Sequence, residues 1–186
     1  MRILAGLAIL LVAGCTPSLE PLYTAQDTFF DPGFLGTWKE QADHAKDADW
    51  MVISRRDETA YRILHSEGGS SAVFTGRLVL IGRYRFVDLY PDRPDIGDGF
   101  YGGHLWRVHS FSRLTVETDR LTLHMLDPAW FETEAGRACG LERRTYGKEI
   151  LLTAPTVWMR QFAERYAEDG PFSVTTTWVR EATADR

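Results

Sequence analysis

This sequence predicts an all-β, mainly antiparallel fold, an up-and-down barrel of about eight strands with an α-helix near its C-terminal end. Three observations carry that expectation. From Leu35 to Met125 the apolar residues recur with a period of two rather than 3.6. The breaks at Asp57-Glu58, Gly68-Gly69, Gly82 and Asp119 are short, which makes neighbours in sequence antiparallel neighbours in space. The one long stripe at helical spacing comes late, at Met159, Phe162, Ala163 and Tyr166. A meander of this many strands is expected to close, because closure removes the exposed edges.

The chain starts with Arg2 and an unbroken apolar or small run, Ile3 to Ala13. As a helix that run would span roughly 16 Å, against a hydrocarbon core of ~30 Å, so its length suits a secretory h-region and not a spanning anchor. Val12-Ala13-Gly14-Cys15 follows, and it resembles the lipobox of bacterial lipoproteins. The resemblance implies that residues 1–14 are a signal peptide, that Cys15 carries the lipid, and that the protein is held to the membrane through it. Two or three acyl chains give stable anchoring where one gives only reversible binding. Thr16, not an aspartate, comes next, which implies the outer membrane with the protein facing the periplasm.

Residues 15–33 hold three prolines and no sustained periodicity, and read as a lipidated tether whose end, at Phe29 and Phe30, is laid on the domain. The barrel domain is expected over 34–186. Its strands are read in order as the segment opening at Leu35-Gly36-Thr37-Trp38, then Trp50–Ile53, Tyr61–His65, Ala72–Leu80, Arg83–Tyr90, Gly103–Glu117 and Leu121–Met125. Two shorter pieces lie near Leu141–Thr145 and Ile150–Thr153, and a last strand over 172–179. Asp127-Pro128 is placed to cap a short helix. Pro155 to Glu168 reads as an amphipathic helix packed on the barrel, ended by Gly170-Pro171.

With a net charge of −5, nucleic acid and anionic headgroups are unsuited as partners. Of the two cysteines, Cys15 is taken by the lipid, so Cys139 has no intramolecular partner and is either a small buried hydrophobe or a reactive thiol. No nucleophile elbow, zinc-protease, phosphate-loop or paired-cysteine spacing occurs, so neither an enzyme nor a cofactor is expected. His109 and His124 fall opposite the apolar residues around them and are read as solvated, and no metal site is expected.

Gly36-Thr37-Trp38 at the head of the first strand, the meander, the late helix and the final strand together resemble a lipocalin. The resemblance implies that Gly36 and Trp38 are structural, with Trp38 across a closed barrel end, and that the open end holds a small apolar ligand. That family's second motif, Thr-Asp-Tyr, has no counterpart here. Pro21-Leu22-Tyr23-Thr24 with Asp27, Asp88-Leu89-Tyr90-Pro91 and Leu151-Leu152-Thr153-Ala154-Pro155-Thr156 are similar to a set of uncharacterised bacterial lipoproteins, a likeness that brings no activity with it.

Strand parity assigns Trp50, Phe74, His104 and Trp106 to the interior of a hollow barrel, with the Asp92–Asp98 loop near one mouth. The same aromatics would serve as core in a filled barrel. Two functions therefore stand at this point: a membrane-anchored carrier of an apolar small molecule, or a structural lipoprotein whose solid barrel meets an envelope protein.

Overall fold

The structure is a computed structural model that describes residues 16–41, 49–92, 107–147, 149–168 and 170–182. Among the described residues twelve strands form in chain order: β1 (Pro17–Ser18), β2 (Thr28–Phe29), β3 (Gly36–Glu40), β4 (Trp50–Arg55), β5 (Ala60–Glu67), β6 (Ser70–Ile81), β7 (Tyr84–Pro91), β8 (His109–Val116), β9 (Arg120–Met125), β10 (Arg143–Tyr146), β11 (Glu149–Leu152) and β12 (Val174–Arg180). The helices are α1 (Glu134–Ala138) and α2 (Thr156–Arg165). Strands β3 to β9 pair as antiparallel neighbours in sequence order. Strand β12 then pairs antiparallel with both β9 and β3, closing an eight-stranded barrel consistent with a lipocalin-like fold.

The turns follow from their residues. At the β4–β5 turn the Asp57 carboxylate accepts from the amides of Thr59 and Ala60, both at 2.8 Å. The β5–β6 turn is Gly68-Gly69, whose φ values of 55° and 82° suit a tight hairpin and are costly for other residues.

Cross-strand partners share a face, so the register separates inside from outside. Trp38 pairs with Met51, Ile53 with Ile63, Leu78 with Val87, and Leu121 with Trp178. These side chains, with Phe34 and Tyr61, make the inner core. A second core lies outside the wall. Val79, Ile81, Phe86 and Phe111 sit on the opposite parity of β6, β7 and β8, covered by Leu22, Leu152, Met159, Phe162 and Phe172. Helix α2 supplies part of that cover through Met159, Phe162 and Ala163, as its apolar stripe predicts.

Two sequence expectations are corrected here. The pieces at Leu141–Thr145 and Ile150–Thr153 form the β10–β11 hairpin, which lies outside the barrel and joins it through β1. The segment after Cys15 is not a free tether: Thr16 and Ser18 are buried, Leu22 is fully enclosed, and β1 and β2 pair with β8 and β6. The physical reason is the apolar outer face of β6–β8, which needs Leu22 and its neighbours as cover.

One end of the barrel is sealed. Asp31 caps a 3-10 turn, Pro32–Phe34, that carries Phe34 into the opening. Phe30 stacks on Tyr61 at 4.8 Å and Phe34 meets the same ring edge-on at 5.0 Å. Trp38 is completely buried and donates its indole N–H to the Phe34 carbonyl at 3.2 Å. Across its ring, 4.1 Å from the centroid, lies the Arg180 guanidinium. Arg180 donates to the carbonyls of Leu35, Gly33 and Thr118, so one side chain joins the 3-10 turn, the β8–β9 turn and β12. Gly36 is required beneath it: its φ is 135°, and a Cβ there would stand 2.5 Å from Arg180 Nη1.

Trp38→Ala is expected to lower the unfolding free energy by about 3–5 kcal/mol, as large aromatic truncations in cores do. Arg180→Lys keeps the charge but loses the planar fork, and is expected to cost about 1.5–3 kcal/mol. Urea unfolding followed by circular dichroism measures both, and an unchanged midpoint in either variant would contradict the closed-end description.

Candidate functional site

The barrel interior changes character along its axis. Near the sealed end, Tyr61 and Leu78 are fully enclosed and Ile53 and Ile63 are only 3% and 2% exposed. Toward the other end, inward-facing Phe74, Leu89 and Leu123 are only part-buried. Phe74 lies between Ile63 and Pro91 across the strands, and Leu89 between Gly76 and Ser110. At Gly76, which faces Leu89 across the strands, the Ile63 side chain occupies the place of a Cβ, 2.6 Å from where one would be built.

Polar groups gather at the other end of this apolar wall. His65 meets the Trp178 ring edge-on at 5.7 Å, and the Trp178 indole donates to Thr176 Oγ1 at 3.1 Å. Glu40 pairs across the sheet with Trp178 and so shares the inner face. Burial holds the Glu40 carboxyl above its ordinary value, and the neighbouring Asp49 and Glu67 carboxylates push it the same way. An apolar wall with a few polar groups at its mouth can take the tail of an amphiphile and orient its head.

The sequence-predicted site residues divide. Phe74 stands inside as expected. Trp50 does not: it pairs with Lys39 and Ser66, on the face opposite Met51, so it belongs to the outer surface of β4. The alternation in β4 is apolar on both parities (Trp50 and Val52 against Met51 and Ile53), and only pairing with Trp38 selects the inward set. His104, Trp106 and Cys15 lie outside the described residues, as does the predicted mouth loop beyond Asp92. Asp92 itself binds Arg56 and Thr75, which lower its pKa against the opposing effect of burial. Cys139 is part-buried beside Arg143.

His65 and Glu40 had no motif to mark them; parity with Ile63 and with Trp38 was the available signal. His109 was expected to be solvated and is not. Its side chain is 11% exposed, and Nδ1 lies 2.7 Å from the buried Asp88 carboxylate. Tyr90 and Tyr23 flank the ring at 4.5 and 6.2 Å. The other Asp88 oxygen accepts the Leu22 amide at 2.8 Å. The parity reading was right about the outer face; what changes the outcome is the N-terminal segment lying over it.

This cluster also collects the separated segments that carried the lipoprotein likeness. The Leu22 amide donates to Asp88, Tyr23 and Tyr90 both meet the His109 ring, and Thr156 donates to the Pro21 carbonyl at 2.7 Å. Arg160 binds Asp27 at 2.7 Å. Those segments thus hold the N-terminal strap to the barrel and α2. Among the described residues, no group of three or more His, Cys, Asp or Glu side chains is placed to hold a metal ion. Comparison with protein-family models, with curated proteins and with solved structures finds no match to this chain.

Two outcomes follow from these placements. Asp88→Ala orphans a buried amide and the His109 ring, and is expected to cost about 3 kcal/mol or more and to expose the strap to limited proteolysis. Glu40 has a folded-state pKa above its unfolded one, so the stability it contributes is full below the ordinary value of 4.5 and is lost as pH rises through the raised value. Glu40→Gln should therefore be more stable than the parent at neutral pH and equal to it at about pH 4, read by urea unfolding at both; a pH-independent difference would contradict this assignment.

Proposed function

We propose that this chain is a cell-envelope lipoprotein, acylated at Cys15, whose lipocalin-like barrel binds and carries an apolar small molecule such as a fatty acid. The observation that supports it is that inward-facing Phe74, Leu89 and Leu123 are only part-buried, with the polar groups of Glu40 and His65 on the same inner face. Side chains in a fully packed barrel interior are enclosed, so the part-exposure of inward-facing Phe74, Leu89 and Leu123 supports space beside them. Val12-Ala13-Gly14-Cys15 supports the anchor, and Thr16 after it supports the outer membrane facing the periplasm. The reading is of a carrier: the His109–Asp88 pair holds the Leu22 amide through the second carboxylate oxygen and so serves to hold the strap.

Titration with a fluorescent fatty acid should show saturable binding. Phe74→Ala should weaken it roughly ten- to a hundredfold with the fold intact, since burying such a ring contributes about 1.5–3 kcal/mol. A well-folded protein without saturable binding would assign the barrel instead to contact with an envelope protein. Mass spectrometry of the N-terminal peptide tests the anchor, where an unmodified Cys15 would remove it.

A further inference from the structure

We infer that the anchored protein rests on the bilayer with the β8 side of its open rim against the lipid, so that the mouth exchanges its ligand with the membrane surface. This rests on the lipoprotein reading above and goes beyond it by fixing which surface meets the lipid.

The first argument is where the N-terminus leaves the fold. Strand β9 begins at the sealed end, beside the Arg180 contact with Thr118, and finishes at the open end with Met125. Thr16 Oγ1 bonds the carbonyl of the very next residue, Leu126, at 3.3 Å, and Pro17 pairs with Ser110 near the open-end start of β8. Cys15 is one residue beyond, a Cα step of about 3.8 Å. With Thr16 and Ser18 buried, no slack chain separates a lipid on Cys15 from this part of the rim.

The second argument is the direction of α2. Its first turn lies by Pro21 and Ser18, through Thr156 and Met159. Its far end lies at the β6–β7 turn of the sealed end, where Glu164 approaches Gly82 and Arg83 pairs with Glu168 just beyond the helix. The exposed apolar pair on this helix, Val157 at 56% and Trp158 at 58%, is therefore on its open-end turn, near the strap that begins at Thr16. Tryptophan is favoured at the headgroup level of a bilayer.

The test uses the full chain, lipidated in cells and reconstituted into phosphatidylethanolamine–phosphatidylglycerol vesicles. In a Cys139→Ser background, Val157→Cys and Asp119→Cys each carry a bimane label, and a nitroxide phospholipid is the quencher. The label at position 157 should be quenched several-fold more than the one in the β8–β9 turn at the sealed end. Equal quenching of the two, or quenching of neither, overturns the orientation; with Cys15 shown by mass to be acylated, that failure leaves the carrier reading standing. An unacylated Cys15 overturns the orientation together with the anchor, and leaves carriage to be decided by the fatty-acid titration.

Discussion

The stacking of Arg180 on Trp38 is the contact on which the rest of the barrel depends. An eight-stranded barrel needs something to stop its ends, and here one end is stopped by a tryptophan whose upper face would otherwise lie open. The guanidinium covers that face and turns its donors to three carbonyls from two different connections. Because it sits on the last strand, it also secures the β12–β3 seam at which the sheet closes. Gly36 follows as a requirement, since any side chain there would displace the guanidinium.

Among the described residues the inner core is enclosed around Tyr61, Ile63 and Leu78, and Met51 and Trp178 stay buried toward the other end, while Phe74, Leu89 and Leu123 are only part-buried. Such a barrel can tolerate partly exposed apolar groups at its mouth because its stability is drawn from elsewhere. Part of it comes from the outer core, where α2, the β10–β11 hairpin and the strap bury a second apolar surface on β6–β8. Asp88 is the polar pin of that layer: it satisfies the Leu22 amide and His109 together, so the strap and the wall are joined by charge-assisted bonds as well as by packing.

The strap also changes what an anchor would mean. A flexible linker would let a barrel take any orientation above a membrane, whereas a chain held at Thr16, Ser18 and Leu22, with β1 paired to β8, couples an attachment just before it to the orientation of the whole domain.

Much of this architecture is legible in local pattern. Period-two alternation, short turns at Asp57, Gly68-Gly69, Gly82 and Asp119, and the Gly36-Thr37-Trp38 start determined an antiparallel meander, and the stripe from Met159 to Tyr166 determined a helix packed by one face. These are properties of residues close in sequence, set by the pleat, the turn and the helical pitch. Tertiary structure alone decided which apolar face points inward. β4 is apolar on both parities, so Trp50 stood equally well inside until pairing with β3 turned it out. It likewise decided that Phe86 belongs to the outer core, that β10 and β11 leave the barrel, and that His109 is buried beneath the strap. Arg180 had no sequence signal at all: its partner carbonyls at Gly33 and Leu35 lie 147 and 145 residues away. Spacing along a chain encodes the period of a strand, but not which distant segment will cover its second face, and in this protein both the sealed end and the outer core are made by such distant segments.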